Sequence, residues 1–465
     1  MLSLNTSSIP PRPLRGKLIP SLIELKYLTY LDVGNNDFNQ SQIPKTIASL
    51  SNLRHLDLFY ANFGRNIPFQ LGNLSNLKYL DLGLNNFNKP KNIEWLPQLS
   101  SLEYLDMSTI NLSKVNNWLH VVNKLPHLTS LFLYHCNLPN IFSVPLINSS
   151  TYLDVFQLSD NNLTCSSSVL QWLFKSNTSV VELHLYSNQF QGLIPDDFSK
   201  ITSLAHLYLD SNDFEGEIPK AFGGMCNMKT LSLSGNYLNG QLHDFFQTRC
   251  ANHSLEFLNL HRNQTIGSLP DLTTFPSLRE LWLAKNHLNW TIPISLGNLS
   301  NLEFLYLEDN ALEGVISETH FSNLTKLKGL GLANTLVVFN INFDWVPPFQ
   351  LKMIGLRSSQ LGPRFPKWLQ TQKNLSYLDI SNSKISDTLS NSDWIFSSQL
   401  LVLNLSHKNF SLEFLFFPKI DLSSNNLEVK YQDFYLKRHS WIFQRICFQS
   451  KSDPYVQSLM ETLTF

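Results

Sequence analysis

Aromatic, histidine and charged side chains recur at regular intervals between residues 132 and 308 of the 465-residue sequence. Large rings and charged groups of this kind supply much of the binding energy of protein interfaces, because they bury area and fix orientation. Paired aromatic residues also simply suit a β-sheet, so their presence does not by itself indicate a ligand. The candidate ligand contacts are Phe132, Tyr134, His184, Tyr186, His206, Tyr208, Asp210, His261, Arg262, Trp282, Lys285, Tyr306 and Glu308.

Catalytic and metal chemistry have weaker support in the same residues. Glu182 and His206 occupy equivalent places in consecutive segments and are expected to be close enough to pair, but no third ligand converges on them. Histidines and carboxylates on an open sheet form no pocket that excludes water. No glycine-rich phosphate loop or kinase signature is present. We therefore predict a non-enzyme with no cofactor and no metal.

The elements that must position these side chains are copies of one repeated segment of about 25 residues. Leucine or a substitute stands at its first, fourth and sixth positions, and asparagine often stands at the ninth. The L-x-L alternation predicts a strand with one buried face, and the Asn amide can satisfy backbone groups inside the coil. Copies begin at Leu28, Leu53, Leu77, Leu102, Leu128, Leu153, Val180, Leu204, Met228, Leu255, Leu278, Leu302, Leu327, Leu351, Leu375 and Leu400, with a shortened copy at Phe417.

A second pattern follows the asparagine in several copies. It is NDFEGEIP at 212–219, SNQFQGLIP at 187–195 and, more loosely, NHLNWTIP at 286–293. Glycine permits a tight backbone, and proline ends a short extended stretch before a helical turn. The predicted fold is an α/β repeat, a leucine-rich-repeat solenoid shaped as a horseshoe or superhelix, with a parallel β-sheet on its concave face. About 17 turns would make an arc on the order of 80 Å long.

The third, fifth, seventh and eighth positions of each copy face the concave side. At the fifth position the outer copies repeat aspartate, which indicates generic surface: Asp32, Asp57, Asp81, Asp106, Asp379 and Asp421. The central copies depart from this and carry the candidate contacts. Gly329, Gly331 and Gly355 are expected to leave a bare floor beside them.

Cysteines and glycosylation sequons both favour an oxidising, exported setting. Cys226 and Cys250 each lie at the same place in neighbouring copies, about 5 Å apart by strand spacing, so we predict a disulfide. N-x-S/T sequons are dense. Asn263 takes an inward position and should stay unmodified. The candidate glycosylation sites are Asn73, Asn148, Asn177, Asn252, Asn289, Asn298 and Asn323.

Composition and the two ends add further expectations. A net charge of −1 gives no reason to expect nucleic acid as a partner. The sequence as written shows no signal peptide and no apolar run long enough to span a membrane. We expect residues 1–27 to be an incomplete repeat that lacks its strand half and its cap. Residues 28–427 form the solenoid, irregular after 400, and residues 428–465 form a non-repeat tail.

The combined pattern L-x-x-L-x-L-x-x-N-x-F-x-G-x-I-P resembles the plant extracellular leucine-rich repeat. Three blocks resemble the receptor-like proteins related to the receptors for fungal ethylene-inducing xylanase: PLRGKLIPSLIELKYLTYLDVGNNDF at 13–38, NFDWVPPFQLKMIGLRSSQLGPRFPKWL at 342–369 and NLSYLDISNSKISD at 374–387. The resemblance implies an ectodomain fragment at the outer side of the plasma membrane. It implies a peptide or protein ligand, a role in plant defence, and signalling through partner receptor kinases.

Two alternatives stay open at this point. A secreted inhibitor of microbial cell-wall-degrading enzymes has similar repeats, although such inhibitors are shorter and capped at both ends. A truncated, non-functional copy would also explain the irregular ends of the repeat array. An intracellular immune sensor is disfavoured, because its repeats lack the L-x-G-x-I-P element.

Overall fold

The structure is a computed structural model that describes residues 2–3, 13–18, 20–143, 153–175, 179–247, 250, 253–387, 399–406 and 420–421. The chain divides into two compact units, Met1–Asn263 and Gln264–Phe465. Three predicted glycosylation sites (Asn148, Asn177 and Asn252) lie outside the described residues, as do Cys447 and the tail at 428–465.

Short parallel strands, one per repeat, form the sheet of the first unit. Each pairs in register with the strand of the next repeat, so equivalent positions lie side by side; Leu183, for example, pairs with Leu207. The strands are Leu2–Ser3, Tyr30–Asp32, His55–Asp57, Tyr79–Asp81, Tyr104–Asp106, Ser130–Phe132, Val155–Gln157, Glu182–His184, His206–Tyr208, Thr230–Ser232 and Phe257–Asn259.

The second unit repeats the same arrangement. Its parallel strands also occupy the third to fifth positions of successive repeats. They are Glu280–Trp282, Phe304–Tyr306, Gly329–Gly331, Met353–Gly355, Tyr377–Asp379, Val402–Asn404 and Ile420–Asp421. The last of these lies where the shortened copy at Phe417 predicts a strand.

The repeated leucines form the core between the strands and the outer side of each coil. In the copy that begins at Leu204, the side chains of Leu204, Leu207 and Leu209 are at most 1% exposed. A single coil could not bury these side chains alone, so stacking of neighbouring coils supplies the hydrophobic free energy that holds each strand in place. The predicted leucine-rich-repeat solenoid with a parallel sheet is confirmed.

Inward asparagines connect consecutive coils, as the sequence predicts. Asn212 donates from Nδ2 to the carbonyls of Leu185 and Leu209, both at 3.0 Å, and its Oδ1 accepts from the Phe190 backbone N–H. Each such side chain satisfies backbone groups that the curved coil leaves unpaired. The set comprises Asn36, Asn85, Asn161, Asn188, Asn212, Asn236, Asn263, Asn286 and Asn310, all buried.

The segment after the asparagine forms a second short strand and then a helical turn on the outer flank. Pro195, Pro219 and Pro293 end that extended stretch and immediately precede 3₁₀ helices, as the proline of the second pattern predicts. The outer strands are Gly64–Arg65, Asn86–Phe87, Gln191–Leu193, Asp213–Gly216, Tyr237–Leu238, Ile266–Gly267, His287–Thr291, Ala311–Glu313, Val315–Ile316 and Val338–Phe339.

Helices are short throughout the described part of the chain. The α-helices are Trp118–Val122, Val169–Lys175 and Leu242–Phe246. The 3₁₀ helices are Pro20–Glu24, Lys45–Ser49, Phe69–Asn73, Leu96–Gln98, Asp196–Lys200, Lys220–Gly224, Ile294–Asn298, Glu318–Phe321 and Lys367–Thr371. Among the described residues, none of them is long and apolar enough to span a membrane.

The amino-terminal end differs from the sequence prediction. The strand half of the first repeat was expected to be absent, but Leu2 pairs with Leu31 and Ser3 with Asp32 in parallel register. Arg15 further bridges to Asp37. Leu2 and Leu4 stand at the fourth and sixth positions of this copy, but serine replaces the asparagine of the ninth position, so the pattern was missed. The irregularity expected after residue 400 falls mostly outside the described residues and stays a prediction.

Candidate ligand-binding surface

The aspartates that recur at the fifth position of successive repeats form a column (the fifth column) and have a structural role. Apart from Asp421, whose turn lies outside the described residues, each accepts a hydrogen bond from the backbone N–H two residues further on, which fixes the turn where the chain leaves the strand. The Asp81 carboxylate accepts from Gly83 at 2.8 Å and the Asp106 carboxylate from Ser108 at 2.7 Å. Asp32, Asp57 and Asp379 do the same. These aspartates therefore recur because the turn of each coil uses them. A side chain at this position that does not make this hydrogen bond has no such role in the turn.

A stack of rings lies beside these aspartates in the third column of the first unit. Tyr30, His55, Tyr79 and Tyr104 follow one another with ring centroids 4.0, 4.0 and 4.2 Å apart. The sequence analysis missed this stack, although four rings at one position of consecutive copies are a visible signal. The stack covers the concave side of the amino-terminal coils and buries part of the aspartate column.

Burial raises the pKa values of three of these aspartates, and repulsion by neighbouring carboxylates adds to the rise at Asp57 and Asp81. The pKa of Asp81 is raised to about 8, first by burial and second by the nearby Asp106 carboxylate. Burial also raises the pKa values of Asp57 and Asp106. Since the folded chain holds a proton on Asp81 that the unfolded chain loses near pH 4, stability is present at low pH and is lost as the pH rises toward 8.

We expect Asp81→Asn to reduce the fall in thermal midpoint between pH 5 and pH 8, by a few degrees at about 2–4 °C per kcal/mol. Asparagine keeps the Oδ1 acceptor for the Gly83 N–H but does not titrate. Scanning calorimetry at both pH values measures the difference, with the exposed Asp213→Asn as a matched control. An equal fall in the two variants would show that Asp81 does not carry the effect.

His184 and Tyr208 form the centre of the candidate surface in the first unit. Their rings stack with centroids 4.4 Å apart and an interplanar angle of 6°. His184 Nε2 lies 2.6 Å from Glu182 Oε1, so the ring is held between a carboxylate and a tyrosine. Burial is the main cause of the raised pKa of Tyr208. Both side chains are partly exposed on the strand face, where a ligand can reach them.

The predicted pairing of Glu182 with His206 is wrong. The two residues do lie opposite each other on neighbouring strands. The Glu182 carboxylate nevertheless pairs with His184 on its own strand, while His206 Nδ1 lies 2.9 Å from Thr230 Oγ1. Within the described residues, no three His, Cys, Asp or Glu side chains are grouped so that they could hold a metal ion.

The remaining candidates of the first unit differ in their exposure and in the contacts that their side chains already make. Asp210 accepts from the hydroxyls of Ser232 and Ser234 and from the Ser234 N–H, so it mainly fixes the neighbouring turn. The rings of Tyr134 and Tyr186 lie 6.4 Å apart, and Tyr134 is 36% exposed.

Three further candidates lie at the two ends of this group. Phe132 contacts the end of the ring stack through Tyr104, with centroids 5.1 Å apart. His261 is half-buried and Arg262 is exposed. The candidates of the first unit thus lie along one face of the strands. They differ in exposure and in how far their side chains are already hydrogen-bonded within the chain.

The second unit has its own aromatic group. The rings of Trp282 and Tyr306 lie 4.6 Å apart, and Trp282 Nε1 donates to a Glu280 carboxylate oxygen at 3.0 Å. Lys285 is exposed beside them, and Glu308 lies on the same strand face as Tyr306. All four predicted contacts of this unit therefore lie on adjacent coils.

The glycine floor is covered at Gly329 and Gly331, contrary to the sequence prediction, whereas a Cβ atom added to Gly355 would lie 3.9 Å from the nearest side-chain atom. A Cβ atom added to Gly331 would lie 1.7 Å from Glu308 Oε1, and one added to Gly329 would lie 2.5 Å from the Tyr306 hydroxyl. The side chains of Tyr306 and Glu308 thus rest on backbone that glycine leaves free. Sequence reasoning recognised the small residues but not the neighbours that occupy the space above them.

The predicted disulfide is confirmed, with Cys226 and Cys250 joined and their Cα atoms 5.6 Å apart. The predicted glycosylation sites Asn73, Asn289, Asn298 and Asn323 are exposed. Asn263 instead donates to the carbonyls of Leu233 and Leu260 from a buried position, as expected of an inward residue. Modification of the exposed four stays a prediction.

The sequence is similar to a described repeat family and to known proteins. A family profile described as Leucine Rich Repeat matches residues 179–201, 203–225 and 277–299. The receptor-like proteins EIX1 and EIX2 of Solanum lycopersicum are 36% and 37% identical to the chain over 495 residues. Each alignment covers 89% of this chain and 48% of the relative, so the chain spans about half the length of the curated relatives it matches.

Solved structures of leucine-rich-repeat ectodomains are similar to this fold. The leucine-rich-repeat ectodomain of the Arabidopsis receptor kinase HAESA, in complex with an IDA peptide hormone ligand, is 25% identical with a TM-score of 0.63, covering 90% of this chain and 73% of that one. PEPR1 bound to AtPEP1 is 23% identical with a TM-score of 0.64, covering 89% and 68%, and shows the fold alone. The chain therefore has the leucine-rich-repeat fold and is similar in sequence to the plant receptor-like proteins EIX1 and EIX2.

Proposed function

We propose that the chain is part of a non-catalytic recognition ectodomain that binds a peptide or protein ligand on the concave strands. The observation that carries this proposal is the change at the fifth column. There the turn-fixing aspartates of the outer coils give way to His184 and Tyr208 in the first unit and to Trp282 and Tyr306 in the second, and the rings of each pair lie on the open strand face of their own unit. These rings do not repeat from copy to copy, so the coil itself does not require them.

A binding role suits the state of the polar groups on this face. His184 is engaged with Glu182, His206 with Thr230, and Asp210 with two serines. Such pairs hold side chains in fixed positions, which lowers the entropy cost of binding. General acid or base catalysis would instead need a reacting group positioned in a water-excluding pocket. The preorganised, open surface therefore supports recognition over catalysis.

We further propose that the ectodomain works at the outer side of the plasma membrane, in plant defence or signalling, through partner receptor kinases. The sequence similarity to the EIX1 and EIX2 receptor-like proteins supports this setting. So does the HAESA structure solved with the IDA hormone and the co-receptor SERK1, which is 25% identical with a TM-score of 0.57. The disulfide and the exposed sequons suit an extracellular compartment.

The test compares two double variants of the full chain. Tyr208→Ala with Trp282→Ala is expected to weaken ligand binding at least about tenfold, because each removes a ring from the concave face. Tyr237→Ala with Trp290→Ala removes the same two residue types from the outer flank, where they are 54% and 64% exposed, and should leave binding unchanged. The probes are a fungal ethylene-inducing xylanase and peptides selected on the full chain from a displayed random library.

Binding is measured by calorimetry, after circular dichroism shows that both variants keep the wild-type thermal midpoint. Equal affinity of the wild type and the Tyr208 and Trp282 double variant would contradict a concave site. A selective loss in the outer-flank variant would move the site to the opposite side of the coils.

A further inference from the structure

Glu308 carries a carboxylate with one oxygen that the described part of the fold leaves without a hydrogen-bond partner. Its side chain lies over Gly331, and its Oε2 atom is buried with no hydrogen-bond partner among the described residues. Buried carboxylate oxygens are nearly always hydrogen-bonded, because desolvation without a partner costs several kcal/mol. Other polar side chains of the candidate surface already have hydrogen-bond partners. The unpartnered oxygen of Glu308 is therefore suited to accept a hydrogen bond from a ligand.

The charges around Glu308 leave the site negative. Burial raises the pKa of Glu308 to about 7, and the Asp309 carboxylate adds to the rise, while a hydrogen bond from the Glu308 backbone N–H and the charge of Lys285 oppose it. On the neighbouring coils, Asp379 and Arg357 face Tyr377, which Glu308 also faces. Glu280 and Glu308 both act on Tyr306. No cation among the described residues donates a hydrogen bond to the Oε2 atom of Glu308.

The Tyr306 ring borders this carboxylate, since atoms of both side chains occupy the space above Gly331, and further rings lie against Tyr306. Tyr306 lies against Trp282 at 4.6 Å and against Phe304 at 6.3 Å between centroids. The faces of such rings attract cations, most strongly at desolvated sites. Glu280, held by the Trp282 indole N–H, adds a second carboxylate at the rim. Carboxylate and ring faces together form the chemistry that recognises a guanidinium or ammonium group.

We propose that Glu308, with the rings of Trp282 and Tyr306, binds an arginine or lysine side chain of the ligand. This inference rests on the proposed function, since it names the chemical class of one group that the same face would recognise. Glycine at 329 and 331 serves the site, because a Cβ atom at either position would displace the Tyr306 or Glu308 side chain.

The proposal has a defined dependence on pH. A bound cation favours the ionised carboxylate, so affinity should rise as the pH increases through about 7. Asp309 and Lys285 are the other charged side chains that act on Glu308. In Glu308→Gln the affinity should no longer change with pH between 6 and 8.

The experiment selects peptides from a displayed random library on the full wild-type chain. The selected peptides are expected to share an arginine or lysine at one position. Replacing that arginine by citrulline, its neutral isostere, should weaken binding at least about tenfold, and Glu308→Gln should weaken it by a similar factor. The two changes together should cost no more than either one alone, since they remove the same contact.

Glu313→Gln is the matched control, because Glu313 is exposed on the outer strand of the same repeat. Peptides without a shared cation, or peptides bound equally well by wild type and Glu308→Gln, would overturn the proposal. The citrulline exchange leaves the protein unaltered, so the test holds even if a variant folds poorly. If the affinity of the selected peptides does not depend on Glu308 but falls in the Tyr208 and Trp282 double variant, the proposed function survives and the cation site fails. If their affinity depends on none of these three residues, the proposed function and the cation site both fail.

Discussion

Replacing Leu207 by alanine is expected to lower the free energy of unfolding by about 2–5 kcal/mol. Leu207 is fully buried at the middle of the strand His206–Tyr208, and its neighbours on the adjoining strands are Leu183 and Leu231. Truncation leaves a cavity that these neighbours cannot fill, because each is fixed by its own coil. The loss is local to the stacked coils, as expected where each repeat contacts only its neighbours.

Urea denaturation and limited proteolysis of the full chain measure this loss. Glu215→Ala is the control, since Glu215 is exposed on the outer strand of the same repeat. A wild-type midpoint and unchanged protease sensitivity for Leu207→Ala would contradict the assignment of this leucine to the core.

Replacing Asn212 by alanine is expected to cost about 2–4 kcal/mol, even though the change removes a polar side chain. Asn212 donates to the carbonyls of Leu185, Leu209 and Asp210 and accepts from the Phe190 N–H. The side chain is 4% exposed, so water does not replace these hydrogen bonds without opening the coil. The variant therefore leaves several backbone groups buried and unpaired at once.

Asn239→Ala provides the comparison, because Asn239 is an exposed asparagine in the next repeat. Hydrogen exchange should show faster opening of the Phe190 amide in Asn212→Ala only. Equal exchange in the two variants would show that the inward asparagine is dispensable for the coil.

The coil was predictable from the sequence because its physical causes are local and repeated. Leucine at the fourth and sixth positions gives the alternation of a half-buried strand, and each predicted start from Leu28 to Leu400 precedes an observed strand. Asparagine at the ninth position and proline after the second pattern have one backbone role each. The Cys226–Cys250 disulfide followed from equivalent positions in adjacent copies.

The candidate surface was less predictable, because its properties depend on side-chain directions and on contacts between coils. Glu182 had two histidines within reach, and the sequence could not show that His184 on its own strand is the partner. The glycines around 331 were recognised as small, but the placement of Glu308 above them depends on its rotamer. The fifth-column aspartates were identified as generic surface without the hydrogen bond that explains them.

Hydroxyl-radical footprinting of the full chain, with and without a bound xylanase or selected peptide, tests most directly whether ligand binds the concave strands. The predicted result is slower oxidation of Tyr208 and Trp282 in the complex, while Tyr237 and Trp290 on the outer flank oxidise as fast as in the free chain. The contradicting result is protection of Tyr237 or Trp290, with unchanged oxidation of Tyr208 and Trp282, in a chain shown to have the probe bound.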